Sequence, residues 1–361
     1  MRKTLPNRKM KERSILAAIR TGNLSLPPIE FSDMREVVNG SMDALLRAGW
    51  NGQEWQFAVE VKARSTPKIL RDAVQAIQAA ASPPRTYPLV VMPYLANDQV
   101  DELATGKVSA VDLSGNGVLV VTGQLFVLRT GKPNRYPEKS VLKNVYRGKA
   151  SLAARVFLLR SRFDAVGEIR DEILSRGGEL ALSTVSKVLA RLEDDLIVSR
   201  DRGSIRLVQP QKLLDALVKQ YESPTITARI SGRTTLEIID FATGLYDASQ
   251  RLGLRISPTG ASSTSAYAVM ARSGPSPFYC TDVQALTGET GLGSMFEETE
   301  RFANVQLEET QDDTVYFDIR RDNRALSASP IQTYLELITG DKRDRETAGQ
   351  IAENLLGKVV V

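Results

Sequence analysis

The chain has 361 residues, 42% hydrophobic and 25% charged, which suits two or three globular domains and excludes fibrous and disordered classes; no run reaches the ~18 apolar residues of a membrane helix. It has no histidine and one cysteine, Cys280, which excludes histidine acid–base chemistry, a Ser–His–Asp triad, internal disulfides and cysteine-clustered metal sites. The net charge of +4 is unevenly spread: 19 basic and 13 acidic residues in 1–142, 15 and 10 in 143–221, 13 and 20 in 222–361, so a polyanion partner is expected for the first two segments and another role for the third.

The basic N-terminus, MRKTLPNRKMKERS, is followed by neither an apolar stretch nor a small-residue cleavage site, and a cytoplasmic protein is expected. Two stretches around 43–49 and 54–62 read as strands joined by Asn51-Gly52, a strong hairpin signal. In the second strand Trp55, Phe57, Val59 and Val61 share one face, and Gln56, Ala58, Glu60 and Lys62 the other. Glu60 and Lys62 then project together at the far end of the hairpin, and Asp43 returns to the same end. Thr66-Pro67 opens a helix over 68–80. A buried strand at 88–95, a helix at 97–103, a strand at 108–113 and a hairpin over 117–128 complete an α/β layer with a mixed sheet.

Two carboxylates near a lysine have a chemical use. Asp43 and Glu60 supply hard oxygen ligands for Mg²⁺, which stabilises charge during phosphodiester attack, while Lys62 orients or deprotonates the water. Asp43, Glu60-x-Lys62 and the following helix resemble the core of the PD-(D/E)xK restriction-endonuclease-like superfamily, with Ser41-Met42 where that family has a proline before the Asp. The glutamine common on the family's next helix has two candidates, Gln75 and Gln78.

The turn-rich stretch 130–137 marks a joint, after which the pattern changes. Helices are expected over 151–159 (amphipathic), 167–175 and 184–194, the third with Ser183 as N-cap and with Val185, Val188, Leu189 and Leu192 on one buried face. Two short strands, 196–200 and 204–208, follow around Asp201-Arg202-Gly203. Three helices and a two-stranded wing, in "LSTVSKVLARLEDDLIVSRDRGSIRL", resemble the winged helix-turn-helix family. Ser183, Thr184, Ser186, Lys187 and Arg191 then face DNA from the third helix, and Arg200, Arg202 and Arg206 from the wing. A helix over 211–220 leads to a second joint at 221–225.

The last segment mixes strands (225–230, 279–283, 315–319) with helices (234–252, 330–337, 343–356); Glu308, Glu309, Asp312 and Asp313 read as a solvated charge run. The expected organisation is an endonuclease-like α/β domain over 1–142, a winged helix-turn-helix over 143–221 and an α+β interaction domain over 222–361.

Three phrases, "FAVEVKARSTPKILRDAV", "YPLVVMPYLANDQVDELATGKVSAVDLSGNGVLV" and "SPIQTYLELITGDKRDRETAGQIAENLL", resemble the AbiEi-type antitoxins of type IV toxin–antitoxin systems and their transcriptional-regulator relatives. The resemblance implies double-stranded DNA as partner, repression of its own operon, and a nucleotidyltransferase-like toxin; a second copy of the chain is a further expected partner, and a membrane is not. The rival expectation is a Mg²⁺-dependent DNA endonuclease targeted by the winged helix, with Asp43, Glu60 and Lys62 catalytic; the regulator needs no cofactor.

Overall fold

Asn51 and Gly52 both take positive φ, 50° and 77°, the pair of left-handed residues that lets a two-residue turn join twisted antiparallel strands. On either side lie β2 (Ala44–Trp50) and β3 (Gln53–Val61) of a seven-stranded sheet. The sheet runs in chain order through β1 (Glu30–Glu36), β2, β3, β4 (Thr86–Met92), β5 (Ala110–Asp112), β6 (Gly117–Val121) and β7 (Leu125–Arg129). β3, β4 and β5 are parallel and the other pairs antiparallel. The parallel connections are helical, α2 (Pro67–Ala79) and α3 (Asn97–Thr105), as parallel pairing requires. The computed structural model describes residues 10–37, 40–80, 83–137, 144–201, 203–269, 274–288, 291–322 and 325–359. It divides into two units, Met1–Val141 and Leu142–Val361.

Strand alternation gives the first unit two cores. Trp55, Phe57, Val59 and Val61 are buried on one face with Ile15 and Ile19 of α1 (Glu12–Arg20). Ala58, Val90 and Ala110 are buried on the other with Leu70, Ala73 and Ile77 of α2 and Val100 and Leu103 of α3. The loop after β5 is organised by Asp112, whose fully buried carboxylate accepts from the backbone N–H of Leu95 (2.8 Å), Ser114 (2.8 Å), Gly115 (2.6 Å) and Asn116 (2.7 Å) and from Asn116 Nδ2 (2.8 Å). At Gly117 (φ 152°) a Cβ would lie 2.4 Å from the Ala110 carbonyl oxygen, so only glycine fits. The "VDLSGNG" stretch is thus explained by folding alone.

In the second unit, α4 (Leu152–Leu159), α5 (Val166–Ser175) and α6 (Leu182–Asp194) precede a hairpin of β9 (Val198–Asp201) and β10 (Ser204–Leu207). β8 (Arg162–Phe163), between α4 and α5, joins that hairpin in a sheet of order β8-β10-β9. α4 differs from the amphipathic helix expected. Leu152 through Leu158 are all buried, Arg155 included, because α4 is enclosed by neighbours rather than laid on a surface. α7 (Pro210–Lys219) leads into β11 (Ala228–Arg233), α8 (Ile238–Leu252), β12 (Ile256–Pro258), α9 (Gly260–Ser263), β13 (Ser276–Cys280), α10 (Val283–Thr287), β14 (Glu297–Glu298) and β15 (Val305–Glu309). These strands form a sheet of order β12-β13-β15-β11-β14. β16 (Arg320–Asp322) pairs with β17 (Ala325–Ser327), and α11 (Pro330–Ile338) and α12 (Lys342–Lys358) close the chain.

Residues on both sides of the expected 221/222 joint share one core. Val156, Ile169, Val188 and Leu214 lie in the same apolar cluster as Ile331, Leu335, Ile351 and Leu355. α11 and α12 therefore complete the core of α4–α7, and the 143–221 segment is no separate body. Three local expectations change. Val315–Ile319 is no strand: Asp312 accepts from Thr314 N (2.9 Å) and turns 313–316 into a 3₁₀ helix. The strand expected over 279–283 ends at Cys280, because Asp282 caps α10 through Ala285 N (2.9 Å). Glu308 is no solvated edge. It is buried in β15, between β13 and β11, and pairs with Arg229 (2.7 Å).

Candidate functional sites

The β2–β3 register pairs Ala44 with Val59, and one step further it sets Asp43 across from Glu60. Asp43 Oδ2 accepts from Val61 N (2.7 Å), and Asp43 N donates to Val59 O (2.9 Å), so the backbone locks the aspartate at the strand end. Lys62 Nζ donates to Glu60 Oε1 at 2.6 Å. Burial opposes the Lys62 charge, but the hydrogen bond to Glu60 and the charges of Glu60, Glu12 and Asp43 outweigh it and hold the ammonium above the ordinary lysine range. Lys62 is thus held as the ammonium. Glu12, on α1, is the neighbour that sequence reasoning missed, because nothing in the basic N-terminal stretch signals that it folds back toward Lys62.

The chain thus brings Asp43, Glu60 and Lys62 together. Gln75 and Gln78 are both exposed on α2, whose buried face is Leu70, Ala73 and Ile77. Among the described residues no group of three or more carboxylate, histidine or cysteine side chains is placed to hold a metal. Asp43 and Glu60 make a pair of carboxylates, and a Mg²⁺ that retains several waters is held by one or two.

The second candidate is α6. Val185, Val188, Leu189 and Leu192 are its buried face. Ser183, Ser186, Lys187, Ala190 and Arg191 are exposed, at the i, i+3, i+4, i+7, i+8 spacing of a single stripe, and Thr184 is half-buried at its flank. The N-cap is Ala181, not Ser183: Thr184 N and Val185 N donate to Ala181 O, which starts the helix at Leu182 and moves Ser183 into the first turn. Ser186 Oγ donates to Leu182 O (3.0 Å), leaving its lone pairs outward. Lys187 makes no ion pair among the described residues.

Arg191 is partly committed, since its Nε donates to Asp195 Oδ2 at 2.8 Å. Burial opposes its charge, but Asp195 outweighs burial and the guanidinium stays firmly protonated. The wing arginines do not share one face. Arg206 sits across from Arg162 and Ser199 and is exposed, whereas Arg200 sits across from the buried Ile205 and turns to Glu193 of α6 (3.6 Å). Arg202 lies outside the described residues. No helix among the described residues is long and apolar enough to cross a membrane.

No protein-family model, curated protein or solved structure matches the chain. The fold itself is mixed α/β, with helices and several sheets in two units.

Proposed function

We propose that the chain is a DNA-binding transcriptional regulator, with a winged helix-turn-helix in the second unit and a restriction-endonuclease-like fold in the first. The observation that carries this reading is the exposed stripe of α6. A helix buried on one side presents short hydroxyl side chains at its N-terminal end, followed by Lys187 and Arg191, which suits entry into a major groove. Arg206 and Arg162, side by side on the hairpin sheet, offer cation contacts to the phosphate backbone. The likeness of the three phrases to AbiEi-type antitoxins supports repression of its own operon, a nucleotidyltransferase-like toxin as partner, and a cytoplasmic site of action.

A second reading rests on the register that sets Asp43 across from Glu60. In a Mg²⁺-dependent nuclease these two would hold the metal, and the metal would stabilise charge on the phosphodiester; Lys62 would orient the attacking water. Purified full-length chain, a duplex from the region upstream of its own gene, and Mg²⁺ or Mn²⁺ separate the readings. The regulator shifts the duplex, leaves it intact over hours, and loses binding in Lys187→Ala/Arg191→Ala/Arg206→Ala. Metal-dependent cleavage that disappears in Glu60→Ala and Lys62→Ala would favour the nuclease.

A further inference from the structure

We propose that a cavity in the second unit binds a small molecule carrying a carboxylate or phosphate group, and that Arg155 is the residue that takes that group. The cavity holds about 410 Å³, the size of a small-molecule site, and its lining includes Arg155, Tyr146, Tyr221 and Thr225 together with the carboxylates Asp312 and Glu222. Arg155 is 3% exposed. Its Nη1 donates to Gln332 Oε1 (2.8 Å) and Thr314 O (3.3 Å), but its Nε has no partner, and no carboxylate among the described residues forms an ion pair with it.

Three carboxylates lie near and are already engaged: Glu222, in the cavity wall, pairs with Arg147 of the same wall. Asp312 Oδ1 accepts from Thr314 N (2.9 Å) and Thr314 Oγ1 (2.8 Å). Glu336 accepts from Gln332 Nε2 (2.8 Å) and Gly260 N (2.6 Å). Burial pulls the Arg155 pKa down to about 10, so at neutral pH the guanidinium is still charged. Asp312 and Glu336 act on its charge from beyond ion-pair distance without offsetting its desolvation, and a cavity bordered by Arg155, Arg147 and hydroxyl groups is where an oxyanion lowers that cost. Mutual hydrogen bonding of the arginine with protein groups uses only part of its five N–H donors.

Tyr146 links the cavity wall to the end of the proposed recognition helix. Tyr146 OH donates to Asp195 Oδ2 at 2.6 Å, the same oxygen that accepts from Arg191 Nε at 2.8 Å. A ligand seated against Tyr146 changes the hold on Arg191, and so the DNA affinity; this relay rests on the DNA-binding reading, while the anion site does not.

The test is thermal unfolding of the full chain at constant ionic strength with ribose 5-phosphate, with succinate, and with chloride alone. One of the two oxyanions raises the melting temperature saturably, and which one does so tells phosphate from carboxylate. Arg155→Gln weakens that response at least about tenfold, as removal of one charged hydrogen bond does. Thr225→Trp, which fills the cavity from its exposed wall, abolishes the response without lowering the melting temperature of the probe-free protein. A flat response to both oxyanions, or an undiminished one in Thr225→Trp, overturns the site. The bound probe also shifts duplex affinity in the wild type and not in Tyr146→Phe; an affinity unmoved by a probe that binds overturns the relay. A chain that binds the probe but no duplex sinks the DNA reading and leaves the anion site standing.

Discussion

The two candidate sites differ in where their polar groups point. In the first unit Asp43 is held by the Val61 N–H and Glu60 by Lys62, so the cluster largely satisfies itself at a strand end. On α6 the polar groups of Ser183, Ser186 and Lys187 face solvent along one stripe. Self-satisfied groups maintain a fold; outward groups at helical spacing cost nothing to keep and are available to a partner. The difference predicts that substitutions in the inward clusters act on stability, and substitutions on the α6 stripe act on binding.

The largest effect belongs to the most inward group. Asp112→Ala strands the five donors that converge on its carboxylate, and should cost about 4 kcal/mol in denaturant unfolding. A loss below about 1 kcal/mol would mean that the loop after β5 does not depend on it.

Next is Glu336. The residue as a whole is only half-buried, yet its carboxylate is desolvated among Gln332, Gly260 N and Tyr279, and its pKa is pushed up from 4.5 to about 7. The fold prefers the neutral acid, so this contribution to stability is fully present below about pH 4.5 and is lost as pH rises through about 7. Stability measured across that window should fall by about 2–3 kcal/mol from this group, and Glu336→Gln should remove that slope. An unchanged slope would place the carboxylate in water.

Smaller again is Asp43→Ala, which removes the acceptor of the Val61 N–H and should cost about 1–2 kcal/mol while leaving duplex binding as it was. Equal losses of stability and binding would erase the distinction between the two sites. Lys187→Ala should sit at the other extreme, changing stability by less than about 0.5 kcal/mol, since an exposed side chain supports little.

How much of this was legible in the sequence follows from where the signal was local. Asn51-Gly52 fixes the β2–β3 turn, and strand parity then places Glu60 and Lys62 on one face and the aromatic and branched residues on the other. Val185, Val188, Leu189 and Leu192 mark α6 by spacing alone. The rest depends on tertiary partners. α1 has only Ile15 and Ile19 as buried anchors in a basic stretch, too few to announce a helix. The run 315–319 has strand-like composition, but Asp312 and the packing around it impose a 3₁₀ turn, since β-propensity reflects context more than backbone preference. Arg155 sits in an apolar helix where a lone arginine reads as its solvent side; only the arrival of Gln332 and Thr314, more than 150 residues later, keeps it inside. The 221/222 joint looked like a domain boundary because its composition is turn-like, whereas the helices that return to the shared core are encoded at the far end of the chain.

The most direct test of DNA binding through α6 and the wing is the salt dependence of duplex binding by two double variants of the full chain. Lys187→Ala/Arg206→Ala should bind more weakly than wild type at every salt concentration, with a log–log salt slope lower by about two, one for each cation withdrawn from a phosphate. Asp43→Ala/Glu60→Ala should keep the wild-type slope. A slope unchanged in the first variant and reduced in the second would contradict the account and move the DNA interface to the first unit.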